Sequence, residues 1–351
     1  MNKMNKMYYL LIFIPISILI HYMQIGSPSV QFLMTALAIV PLAALLGEAT
    51  EELSKYTGAK FGGFLSATFG NVTELILSFF ALKEGLFDIV KASIAGSMIG
   101  NVLLVLGLSM FMGGLKNKTQ PFAKEGANTS VSLLTLAVIS LVIPAVCTGN
   151  LSTSDLNPVN YENLSVVIAI VMLIVYCCSL YFSFFTHKDL YGVYHETSEK
   201  KWKKSTSIAV LLIATSFVAI ESELLVTNIE PMTEQLHLSK LFVGMIIIPI
   251  IGNAAEHATA VTMAIKNKMD IAIEIAIGSS LQIILFIAPI LVLLSLFFKP
   301  MALIFNTYEI MALGVTVIIA NKACNDGESN WLEGLQLISV YIILAATFFA
   351  I

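Results

Sequence analysis

Gly70-Asn71-Val72-Thr73-Glu74 and Gly252-Asn253-Ala254-Ala255-Glu256-His257 decide the fold, because they read alike and each places a carboxylate inside an apolar run. They lie 182 positions apart (252 − 70). An acidic side chain inside a bilayer is energetically costly and marks a candidate functional site. A repeated half-sequence around such a residue is typical of a transporter with its site between the repeats.

The repeat extends beyond the two motifs without a gap. The same spacing links Glu48 with Glu230, Glu52 with Glu234, Gly62 with Gly244, Asp88 with Asp270, and Gly96-Ser97 with Gly278-Ser279. We therefore expect the two halves of the chain to share one architecture.

The composition indicates an all-α integral membrane protein, with the lipid bilayer as its surroundings. Of the 351 residues, 57% are hydrophobic and 12% are charged, against about 25% charged residues in soluble domains. The apolar residues form blocks of about 20, the length that crosses a ~30 Å hydrocarbon core. A net charge of −4 argues against a nucleic-acid partner. No span carries a nucleophile with a base and an orienting group, so we do not expect an enzyme.

We predict eleven transmembrane helices, one N-terminal helix plus two inverted five-helix repeats. Their expected limits are 7–25, 30–50, 62–82, 92–113, 128–147, 163–186, 206–228, 240–264, 271–297, 301–320 and 332–350. The N-terminal helix occupies 1–28, the first repeat 29–187 (spans 2–6), a lysine-rich loop 188–205 and the second repeat 206–351 (spans 7–11). Equivalent points lie five spans apart, and an odd number of crossings inverts the second repeat relative to the first.

The lysines predict the orientation, because positively charged loops stay in the cytoplasm. All 19 basic residues are lysines. Fifteen of them fall on the N-terminus and the loops after spans 2, 4, 6, 8 and 10. We expect a multi-pass protein of the cell membrane, with the N-terminus cytoplasmic and the C-terminus outside.

The two motifs supply oxygen ligands. Asn71 and Glu74 are three residues apart, so on a helix they share a face, and Asn253 and Glu256 repeat that spacing. Glycines in both motifs, and Pro249 before the second, should loosen the helices and free carbonyl oxygens, which mid-membrane requires a cavity or an ion. The neighbouring spans add four polar candidates, for which hydrogen bonding between helices is the alternative: Ser97, Asn101, Ser279 and Gln282.

Two carboxylates surrounded by neutral oxygens suit Ca2+, which takes six to eight oxygen ligands. The two carboxylates neutralise the ion. Without it they cannot both stay ionised in a low dielectric, so protons are the natural competing ligand. We expect Ca2+ and H+ as transported substrates and no bound cofactor.

Several other titratable residues remain open to two interpretations. His257 either packs beside Glu256 and tunes it or takes part in proton transfer. Five more glutamates either line an access path for ions and protons or face water: Glu48, Glu52, Glu221, Glu223 and Glu230.

Gly-Asn-x-x-Glu-Leu-Ile at 70–76 and Gly-Asn-Ala-Ala-Glu-His-Ala at 252–258 resemble the two repeat signatures of the calcium/proton exchanger (CAX) family, within the cation/calcium exchanger superfamily. Tracts at 47–52, 264–270 and 278–282 are also similar to that family. The resemblance implies the eleven-span inverted fold, Ca2+ held by Glu74 and Glu256, and Asn71 and Asn253 lining the site. It also implies sliding of spans 2 and 7 for alternating access, and it is compatible with a homotrimer.

These patterns predict a secondary antiporter that exports Ca2+ from the cytoplasm in exchange for H+. Glu74 and Glu256 would bind either calcium or protons. A Na+- or K+-coupled calcium exchanger and a cation channel remain alternatives. The single acid in each motif favours protons as the counter-ion, since the sodium-coupled relatives carry more acidic groups at the site.

Overall fold

The structure is a computed structural model that describes residues 7–149, 158–187 and 200–351. Its α-helices are α1 (Phe13–Tyr22), α2 (Pro28–Phe69), α3 (Val72–Lys83), α4 (Phe87–Ile99), α5 (Leu106–Asn117), α6 (Lys124–Gly149), α7 (Pro158–Tyr181), α8 (Lys204–Thr227), α9 (Ile229–Leu236), α10 (Lys240–Phe242), α11 (Ile248–Gly252), α12 (Ala254–Ile265), α13 (Met269–Gln282), α14 (Ala288–Ser295), α15 (Thr307–Ala323) and α16 (Trp331–Ala350). A 3₁₀ turn, Tyr8–Ile12, precedes α1, and two short strands, β1 (Thr119–Pro121) and β2 (Glu328–Asn330), pair antiparallel.

Among the described residues, four π-helical segments join consecutive helices or end one: π1 (Gly100–Val105), π2 (Phe182–Thr186), π3 (Val243–Ile247) and π4 (Ile283–Ile287). π1 and π4 occupy equivalent places in the two repeats, since residue 101 corresponds to residue 283. π-helical segments are rare in proteins, and those that occur are often found at functional sites. Their matched positions show that the repeat extends to backbone geometry.

Several helices are long and apolar enough to cross a membrane. Within the described residues there are seven, and the pair Lys240–Gly252 and Ala254–Ile265, bent by 64°, makes an eighth if counted as one span. The chain is therefore a multi-pass helical membrane protein.

The predicted loop between spans 2 and 3 is wrong, because helical structure continues through it as α2. The helix nevertheless turns back on itself. A Cβ placed on Gly62 would lie 2.9 Å from the Ser54 carbonyl oxygen, whereas eight residues of straight helix would separate them by about 12 Å. Gly58, Gly62 and Gly63 lie at this bend, and glycine is a common cause of sharp kinks.

The start predicted for span 10 is also wrong. Residues 301–306 form no helix, and α15 begins at Thr307. Asn306 and Glu309 form a reciprocal capping box there, with bonds of 2.9 and 2.7 Å, which fixes the helix start. The lysine-rich loop predicted at 188–205 lies partly outside the described residues.

Small residues bring the central helices into close contact. A Cβ on Gly96 in α4 would lie 2.2 Å from the Met245 carbonyl oxygen in π3, and one on Gly244 would lie 2.5 Å from Ala92 Cβ. Backbones that approach this closely are typical of membrane helix interfaces. A continuous buried core surrounds them, while α2 packs along α8 at one side.

Candidate ion-exchange site

Each motif breaks its helix at the asparagine. α2 ends at Phe69, Gly70 and Asn71 form a turn, and α3 begins at Val72. α11 ends at Gly252, and α12 begins after Asn253 at an angle of 64°. The prediction of a disrupted backbone at both motifs is confirmed. Asn71 and Asn253 are the N-cap residues of α3 and α12, one turn before the glutamates, and their carbonyl oxygens accept from the N–H groups of Leu75 and His257.

The break places each glutamate in the first turn of the following helix. Glu74 is the third residue of α3 and Glu256 the third residue of α12. Helix N-termini carry partial positive charge and unpaired N–H groups. This position favours a carboxylate that would otherwise be isolated in an apolar interior.

The two glutamates reach across to the opposite motif. A Cβ placed on Gly252 would lie 2.8 Å from Glu74 Oε1, and one placed on Gly70 would lie 3.7 Å from Glu256 Oε1. Each carboxylate thus packs against the glycine of the other repeat. The two carboxylates are also close enough to repel each other electrostatically. The structure brings the two motif glutamates together at one centre.

The four polar candidates of the neighbouring spans all join this centre. Ser279 lies 2.7 Å from Glu256 Oε2 and 2.7 Å from Asn71 Oδ1. Asn101 donates to Ser279 at 3.1 Å, and the Asn71 amide donates to Gln282 Oε1 at 2.6 Å.

The equivalent contact on the other side of the site joins Asn253 to Ser97. The Asn253 amide donates to Ser97 Oγ at 3.2 Å and to the Pro249 carbonyl oxygen at 3.0 Å. The pairs Asn71–Ser279 and Asn253–Ser97 are related by the 182-residue repeat. The network therefore follows the symmetry of the sequence.

Two oxygens at the centre are buried without a hydrogen-bond partner among the described residues. They are Glu74 Oε1 and Asn253 Oδ1. Buried polar atoms without partners are rare and need an explanation. Both are the oxygen types that a hard cation binds, so these atoms are suited to an ion placed between them.

His257 contributes a further unpartnered atom. Its ring is only partly exposed, and Nε2 is buried without a partner among the described residues. The choice between a packing role and proton transfer stays a prediction.

The five glutamates assigned to an access path each have a partner. Glu48 accepts from the Tyr8 hydroxyl, Glu223 lies 3.7 Å from Lys83 Nζ, and Glu230 pairs with Lys240. Buried Glu52 accepts from Lys55 Nζ at 2.6 Å and from two backbone N–H groups, Lys201 at 2.9 Å and Trp202 at 3.2 Å. Glu221 contacts Ser17 on α1. An access role for these five residues stays a prediction.

Glu274 is an exposed acidic residue on α13 that sequence reasoning did not single out. Glu274, Gly278 and Gln282 are spaced four apart on α13 and share one face. This spacing, which leads along the helix to Gln282, was the signal that could have identified it.

Comparison with known proteins fits this geometry. The model of the family described as sodium/calcium exchanger protein matches residues 27–185 and 206–350. A Ca(2+)/H(+) antiporter of Aphanothece halophytica is 46% identical over 366 residues, covering 99% of this chain and 97% of that protein. The Ca(2+)/H(+) antiporter ChaA of Bacillus subtilis (strain 168) is 44% identical, with 99% of both chains covered.

The fold has a close counterpart among solved structures. The structure of native YfkE superimposes with a TM-score of 0.85 at 42% identity, covering 98% of this chain and 100% of that chain. The family match spans both halves of the chain and leaves out the region between them, as expected for two repeats. This chain belongs to the sodium/calcium exchanger protein family.

Proposed function

We propose that this protein is a secondary antiporter that exports Ca2+ from the cytoplasm in exchange for H+. Relatives named as Ca(2+)/H(+) antiporters share 44–46% of their sequence with it over nearly the full length. Glu74 and Glu256 bind either Ca2+ or protons, and Asn71, Asn253, Ser97, Asn101, Ser279 and Gln282 complete or support the site.

The reciprocal packing of the two glutamates carries this proposal. Because each carboxylate lies against the glycine of the opposite motif, one cation between them contacts both repeats. Two negative charges neutralise one divalent ion, which lowers the energy of holding it in a low dielectric. The unpartnered Glu74 Oε1 and Asn253 Oδ1 supply further lone pairs.

The hydrogen bonds of Ser279 support protons as the competing ligand. Its hydroxyl has one hydrogen but lies 2.7 Å from both Asn71 Oδ1 and Glu256 Oε2, while Asn101 donates to it. If Glu256 is protonated, it donates to Ser279 and Ser279 donates to Asn71. Every donor and acceptor in this series of hydrogen bonds is then satisfied. If Glu256 is ionised, either the Ser279–Asn71 contact or the Ser279–Glu256 contact has no hydrogen between its two oxygens.

We propose an eleven-span topology with two inverted repeats and the N-terminus in the cytoplasm. The short helix α1, the second limb of α2 with α3, and α15 are the three spans beyond the eight identified by length. Contacts between helix ends support the sides assigned. β1 pairs with β2, and Gln120 in β1 donates to the Ala264 carbonyl oxygen at 2.8 Å. β1, β2 and the end of α12 at Ala264 all lie on the side that the lysines predict to be cytoplasmic.

Contacts at the opposite ends agree with the same topology. Ser29 donates to Gln235 Oε1 through its hydroxyl at 2.8 Å, and Ser239 donates to the Phe348 carbonyl oxygen at 3.1 Å. These residues all fall on the predicted outer side, which supports a C-terminus outside the cell. We propose domain limits at residues 28, 187 and 205 on the same basis.

Alternating access would use α2 and α8 as a pair. They pack along each other and are tied at both ends, by the Glu52 contacts to Lys201 and Trp202 and by the Gln235 contact to Ser29. We propose that this pair slides against the helices that carry the two motifs. A homotrimer stays a prediction.

Exchange coupled to Na+ or K+ and passive channel flux are the remaining alternatives. The experiment is reconstitution in liposomes with an imposed pH step and no alkali metal, reading calcium and membrane potential together. Calcium movement driven by the pH step supports proton coupling. A requirement for Na+ or K+, or flux that continues without any counter-ion gradient, would contradict it.

A further inference from the structure

A carboxyl group outside the exchange site is buried between α1 and α8. Glu221 on α8 is fully buried, and Ser17 on α1 is buried opposite it. Ser17 Oγ lies 2.7 Å from Glu221 Oε1 and 2.9 Å from Oε2. This contact joins the N-terminal helix, which has no counterpart in the repeats, to a helix of the second repeat.

If Glu221 is ionised, this contact has one hydrogen too few for all its oxygens to be hydrogen-bonded. Ser17 Oγ also lies 2.8 Å from the Ile14 carbonyl oxygen of its own helix. One hydroxyl hydrogen then faces three oxygens that can only accept. A protonated Glu221 removes the conflict, because its O–H donates to Ser17 Oγ and the Ser17 hydroxyl donates to Ile14.

Within the part of the chain that the structure describes, Glu221 forms no ion pair with a cationic side chain. The charged or titratable groups on the elements packed around it include His21, Tyr22, Glu48, Glu51, Glu52, Lys55, Glu74, Lys83, Lys204, Glu223, Glu230 and Glu234. The ion pairs among these groups join other partners, and none includes Glu221. Lys83 lies beside exposed Glu223, and Lys55 beside Glu51 and Glu52. A buried carboxylate without a cationic partner is strongly disfavoured.

We propose that Glu221 is a resident proton-binding site, a neutral carboxylic acid that fastens α1 to α8. The side chain has no solvent access, so in this proposal the proton stays in place during transport, as the alternative to an access-path role for Glu221. The site is separate from Glu74 and Glu256, and it does not depend on which ions the protein exchanges.

Infrared difference spectroscopy of the reconstituted protein at neutral pH tests this site. Subtracting the Glu221→Gln spectrum from the wild-type spectrum should reveal one protonated-carboxyl C=O band. The matched control is Glu223→Gln, two residues along α8, which should instead remove a carboxylate band because Glu223 is exposed beside Lys83. Loss of a carboxylate band in Glu221→Gln would overturn the proposal.

Two further measurements keep the test decisive if Glu221→Gln is unstable. Ser17→Ala removes the acceptor and should shift the protonated-carboxyl band without abolishing it. Addition of Ca2+ should leave the band unchanged in the wild-type protein. A Ser17→Ala spectrum identical to wild type, or a band that disappears with Ca2+, would contradict a resident proton hydrogen-bonded to Ser17.

Discussion

The first and second motifs hold their glutamates at the same helical position but in different surroundings. Glu74 is buried, and its Oε1 has no partner among the described residues. Glu256 is partly exposed and bonds to Ser279. One repeat therefore presents a buried carboxylate oxygen without a partner, while the other presents a partly exposed carboxylate that is hydrogen-bonded to Ser279.

This difference shows that the two inverted repeats share their backbone arrangement while their glutamates differ in burial and hydrogen bonding. In alternating access the two halves exchange surroundings as the site changes sides. Ala258 and Thr259, which follow Glu256 on α12, are likewise exposed. The predictions below test whether the two halves differ in this way.

The largest effect is expected from neutralising either glutamate. Glu74→Gln and Glu256→Gln each remove one of the two charges that balance Ca2+, with little change in size. We expect calcium transport in liposomes to fall to the level of protein-free vesicles in both. Glu84→Gln, an exposed carboxylate at the far end of α3 that has no assigned role, serves as the control. Retained exchange in either site variant would remove that glutamate from the mechanism.

A substantial effect is expected from filling the space in front of Glu74. The Cβ of Gly252→Ala would lie 2.8 Å from Glu74 Oε1. Overpacking of this kind costs about 1–3 kcal/mol, which corresponds to a loss of calcium affinity of roughly 5- to 150-fold. Gly314→Ala is the control, because its Cβ would meet nothing within 4 Å. Equal affinity of the two variants would show that Glu74 does not need this position.

A graded effect is expected from the two repeat-related serines. Ser279→Ala removes a hydrogen bond to a carboxylate, worth about 1.5–3 kcal/mol, whereas Ser97→Ala removes one to a neutral amide, worth about 0.5–1.5 kcal/mol. Exchange should therefore fall more in Ser279→Ala, and its pH dependence should shift. Identical pH profiles in the two variants would argue that Glu256 does not hold a proton through Ser279.

Sequence patterns predicted the chemistry of the site better than its geometry. Glycine and proline identified the two breaks because they disrupt helices. The repeated acids identified the site because acidic residues are rare inside bilayers. The reach of each glutamate to the opposite glycine depends on how the halves pack, which spacing within one half does not specify. Glu274 was missed because the corresponding position in the first repeat is Ala92.

The errors in the fold have a similar origin. Glu51, Glu52 and Lys55 read as a charged loop, but Lys55 lies 3.4 and 2.6 Å from the two acids along a helix. Charged residues at these spacings stabilise helices as well as fill loops. Buried Glu52 accepts bonds from backbone N–H groups about 150 residues away, a contact that no local pattern reveals.

Calcium binding measured by titration calorimetry across a series of pH values, with protons counted in buffers of different ionisation enthalpy, tests the central claim most directly. If the two carboxylates take either Ca2+ or protons, calcium affinity should fall as the pH falls, by about tenfold per pH unit for each proton displaced. Binding should also release protons. An affinity that stays constant with pH, with no protons released, would contradict competition for one shared site.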